Sequence, residues 1–80
     1  MDVNLARHVG RTAFRASADL GNLIPLLKEH CSSEEYMKLA PAIASAVAAI
    51  GLDVLNPLFN NFAGLKDEFD ENVRTYGRVL

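Results

Sequence analysis

The stretch LAPAIASAVAAIGL, Leu39 to Leu52, carries six alanines and no charged side chain. What it packs against decides the fold. Three coverings are open to it: a bilayer, the rest of its own chain, or a second copy. A bilayer span takes about 20 apolar residues. Pro41 and Ser45 interrupt this stretch and Lys38 and Asp53 flank it, so no membrane span is expected.

The apolar residues around it follow a helical period. Tyr36, Ala40, Ile43, Val47, Ile50 and Val54 recur at steps of three and four, which places them on one helix face. Met37, Ala44, Ala48 and Leu55 cover the neighbouring face. The spacing predicts a helix from Ser33 to Leu55, kinked at Pro41, which has no N–H to give the ladder. Asn56–Pro57 is its expected end, because the residue before a proline is pushed out of the α region. A short turn over Pro57 to Phe62 follows, with proline at its first position.

Upstream, Ser32 and Glu35 have the capping-box spacing, and Glu34 and Glu35 sit where a helix N-terminus favours acids. The turn therefore falls at EHCSSEE. Before it, Ala6, Val9, Ala13, Ala16, Leu20, Leu23 and Leu27 alternate steps of three and four over a helix from Asn4 to His30. Asp2 or Asn4 caps its start, and Pro25 kinks it unless the chain breaks at Gly21–Asn22. Downstream, Leu65, Phe69, Val73 and Tyr76 mark a last helix ending before Gly77, with an Asp70–Arg74 pair. No strand pattern occurs.

These elements make one domain, residues 1–80. The expected fold class is all-α: a helical hairpin of two long, kinked helices plus a shorter C-terminal helix, completed as a bundle by dimerisation. The last clause rests on size. A chain of 80 residues buries only about 60% of its unfolded surface. Small domains compensate with disulfides, metals or oligomerisation, and Cys31 is the only cysteine. Helix two is apolar over more than half its circumference, and one seam plus a short helix cannot cover it. The uncovered strip would be an exposed apolar patch, which soluble monomers avoid. The expected self-association interface is Ala40, Ile43, Ala44, Val47, Ala48 and Ile50, the alanines giving close helix approach.

Chemistry is thinly represented. Arg7, Arg11 and Arg15 lie four apart with Phe14 among them, a candidate partner surface for nucleic acid or anionic membrane. The plainer reading pairs them with the acidic turn Asp67–Glu71 and packs Phe14 under the last helix. The net charge of −2 argues the same way, and no nucleic acid is expected. His30 and Cys31 with Glu34 and Glu35 could support a thiol- or metal-linked activity. They lack zinc-ligand spacing, since His8 is the only other histidine, and Cys31 lacks an oriented base. Asp67, Asp70 and Glu71 share a face without a calcium-loop frame. The glycines form no phosphate cradle. No cofactor or metal is expected, and no catalytic residue is assigned. The sequence reads as a cytoplasmic, non-enzymatic helical homodimer acting through protein–protein contacts.

Overall fold

The structure is a computed structural model describing residues 1–80. It is all helix: α1 (Val3–His30), α2 (Ser33–Ala49), a π-helical segment (Ile50–Leu55), α3 (Asn56–Asn61) and α4 (Ala63–Tyr76). The α2, π and α3 pieces run on without interruption as one rod, Ser33–Asn61, antiparallel to α1 and packed along it.

Both long helices start where the sequence places a cap. The Asp2 carboxylate accepts from the Leu5 N–H at 2.9 Å. At the hairpin turn, the Glu35 N–H donates to Ser32 Oγ at 3.2 Å and the Ser32 N–H to Glu35 Oε1 at 3.1 Å. Each bond satisfies a donor that the helix end leaves free. Two bonds donated to the Glu35 carboxylate, from the Ser32 backbone N–H first and from its hydroxyl, at 3.0 Å, second, hold that carboxyl below its ordinary 4.5. Gly77 ends α4 in the left-handed region at φ 76°, a conformation that costs glycine little.

The expected boundary at Asn56–Pro57 is not there. Asn56 stays helical at φ −61°, ψ −48° and donates its N–H to Gly51 O, five residues back. A π turn adds one residue per turn and widens the coil. It lies directly before Pro57, where the missing N–H and the ring would disrupt a regular ladder. The widening absorbs the proline, so the helix continues to Asn61. Helix one likewise carries Pro25 within an unbroken Val3–His30, with no break at Gly21–Asn22.

The seam of α1 also shifts. Ala6 and Gly10 are buried, and Ala13, Ser17, Leu20, Ile24, Leu27 and Cys31 half-buried, whereas Ala16 and Leu23 are exposed. Gly10 joins the seam because the Phe69 ring and the Leu58 side chain seat against its bare backbone, and Ser17 and Ile24 take the half-buried places beside the exposed Ala16 and Leu23. The core sits at the base of the hairpin, where Ala6, Leu58 and Leu65 pack together with Phe59 and Phe62. Phe69, 1% exposed, lies edge-on to Phe14 and Phe59 at 6.2 and 5.7 Å. After Gly77 the tail folds back and buries Val79, held by Asn72 Oδ1, which accepts from the Leu80 N–H at 3.1 Å. The expected Asp70–Arg74 pair is absent: Asp70 takes Lys66 at 2.9 Å, and Arg74 pairs with Glu71.

Candidate interaction surface

The arginine set is engaged within the chain. Arg7 Nε donates to both carboxylate oxygens of Glu68 at 3.1 Å, while Arg7 Nη1 donates to Asn4 Oδ1 at 3.0 Å. Arg11 Nη2 reaches the same Glu68 at 3.9 Å, and its Nε is buried without an acceptor. Arg15 Nε donates to the Val79 carbonyl at 3.3 Å, and Phe14 packs on Phe69. This side of α1, with Arg7, Arg11, Phe14 and Arg15, carries α4 and the C-terminal tail, which is the packing that the plainer reading describes. One acid, Glu68, serves two arginines because α4 lies along the face where residues four apart stack.

The hairpin turn gathers little chemistry. Cys31 is half-buried and lines a shallow pocket of about 290 Å³ with Lys28, Ser33, Tyr36 and Met37. No three His, Cys, Asp or Glu side chains converge around a point that would hold a metal ion. Three of the four acids of α4 are occupied by neighbours: Glu68 by Arg7 and Arg11, Glu71 by Arg74, and Asp70 by Lys66, whose ammonium is in turn raised above 10.5 chiefly by its hydrogen bond to Asp70.

An apolar surface also remains open. The expected interface set divides in two. Ala40 is buried and Ile43, Val47 and Ile50 are half-buried against the chain's own α1, so these four form the intrachain seam. Ala44 and Ala48 are exposed, along with Ala42, Ala46 and Ala49. Leucines flank them: Leu23 is 42% exposed, Leu39 45% and Leu52 66%. At the base, Met1, Val9, Val54, Leu58 and Phe62 line a shallow groove of about 600 Å³. Sequence reasoning missed this groove, since it depends on the π insertion turning Val54 toward Val9.

Only 8 of 80 residues are buried, and none of them is polar or charged. The Cα radius of gyration is 14.6 Å, where a compact domain of this length has about 12 Å. The accessible surface is 5558 Å², roughly 800 Å² above that of a typical monomer of 8.7 kDa. The rod Ser33–Asn61 is 29 residues long and, by length and composition, apolar enough to cross a membrane.

The fold and surface define a class, an α-helical hairpin braced on one side by a third helix. No family model, curated protein or solved structure matches the chain.

Proposed function

We propose that this chain is a small, non-enzymatic helical protein that acts through protein–protein contacts and self-associates through its alanine-rich second helix. The observation that carries this reading is the surplus of accessible surface over a monomer of this mass, which coincides with uncharged helix faces. Ala44 and Ala48 on one side of helix two and Ala42, Ala46 and Ala49 on the other leave room for close helix approach. The single cysteine accords with a reducing, cytoplasmic setting.

Association makes unfolding depend on protein concentration by mass action. Thermal unfolding followed by circular dichroism over a thousandfold range of concentration tests the reading. A midpoint that rises with concentration supports it; a constant midpoint counts against it.

A second reading places the rod Ser33–Asn61 in or on a bilayer. Its length and apolar character favour this, together with the small share of it buried in the fold, 11% of its most apolar window. Flotation with neutral phosphatidylcholine vesicles separates the two: a protein that stays in the aqueous fraction and self-associates is not using the rod as a span.

A further inference from the structure

Only one side of the hairpin carries α4. Arg7, Arg11 and Phe14 hold it there. Residues two apart on a helix point about 200° apart. Val9 and Ala16, two residues from Arg7 and Phe14, therefore lie on the opposite side of α1, and Leu23 continues their strip at heptad spacing. In helix two, Leu39 and Ala46 are also seven apart. Val54 follows after eight, the extra residue being taken up by the π segment. Val9 and Val54 line the same groove, so the two strips share one face. None of the six residues is charged.

We infer that this face docks on the same face of a second copy, antiparallel, about a two-fold axis passing near Ala16 and Ala46. The inference rests on the self-association proposed above and names its surface. The face is complementary to itself when turned end over end. Leu23 and Leu39 project at the hairpin tip, the groove lies hollow at the base, and alanines between them admit close backbone approach. From Val9 to Leu23 is about 21 Å along the helix, so a two-fold turn at Ala16 sets each copy's leucines over the other's groove. The size also fits: a surplus of roughly 800 Å² per copy equals one partner's share of a standard interface.

The test uses the full chain with two glutamate variants and one cross-link. Ala46→Glu puts an unpaired charge at the axis and weakens the dimer roughly a hundredfold or more, with helicity retained. Ala48→Glu, on the other side of helix two, leaves the dissociation constant within about threefold, less than 1 kcal/mol. In a Cys31→Ser background, Ala16→Cys forms a disulfide-linked dimer on oxidation and Ala48→Cys does not, because a disulfide needs Cα atoms within about 7 Å. The cross-link adds no charge, so it reads the geometry even if Ala46→Glu unfolds. A wild-type dimer that dissociates with Ala48→Glu, or that cross-links through Ala48→Cys alone, overturns this face but leaves self-association standing. A wild-type monomer overturns both.

Discussion

A methyl group added to Gly10 would lie 2.6 Å from Cε2 of Phe69 and 3.0 Å from Cδ2 of Leu58. Phe69 cannot withdraw, being 1% exposed and flanked by Phe14 and Phe59. Gly10→Ala sets two effects against each other. Helix propensity favours alanine by about 1 kcal/mol, and overpacking of a tight core costs about 1–3 kcal/mol. The expected net is a loss of about 1 kcal/mol in urea unfolding. Gly21 has no atom within 4 Å of the same added methyl, so Gly21→Ala should gain up to about 1 kcal/mol. Equal effects at the two glycines would remove the close packing from the account.

The capping box gives a signed pH dependence. Glu35 is held below 4.5 by Ser32. A carboxyl with a depressed folded-state value contributes in full above its unfolded value, and the contribution disappears as pH falls through the folded one. Ser32→Ala should lower Tm by about 5 °C at pH 7. The difference between wild type and Glu35→Gln should shrink between pH 7 and pH 3. A difference that grows toward acid would contradict the assignment.

Glu68 holds two arginines at a surface where all three side chains are 29–41% exposed. Solvent screens such pairs, so Glu68→Gln should cost only about 0.5–1 kcal/mol. Added salt should shrink that cost further. The same variant frees Arg7 and Arg11, and any affinity for a DNA oligonucleotide should rise in it relative to wild type. Loss of stability unaffected by salt would mean that Glu68 acts by packing alone.

The π segment amounts to one inserted residue ahead of Pro57. Deleting the exposed Leu52 together with Pro57→Ala should convert it to regular helix and keep Leu55 and Leu58 on the core face. Deleting Ala13 should instead rotate half of α1 by about 100° and unfold the base. Circular dichroism and Tm distinguish the two outcomes.

The sequence announces what local chemistry controls. Asp2, the Ser32–Glu35 pair and Gly77 cap helices at the places their side chains or backbone freedom specify. Periodicity finds helix two, yet it cannot see the π insertion, because the widening answers Pro57 in three dimensions and shifts the phase of Val54 and Leu58. Gly10 carries no hydrophobic signal, although it is buried, since a ring seats against its bare backbone. Ala16 and Leu23 fit the apolar period and still end outside, one strip away from the true seam. The arginines were legible as a set and so was their acidic partner segment Asp67–Glu71, but which acid of that segment meets them, Glu68, follows from how α4 returns, which no spacing in α1 records.

The central claim is that one copy of this chain leaves more apolar helix uncovered than a folded monomer keeps. Sedimentation equilibrium of the wild-type protein at micromolar concentration tests it most directly. The account predicts a mass twice 8.7 kDa, falling toward 8.7 kDa on dilution; a well-folded species that stays at 8.7 kDa at every concentration would contradict it.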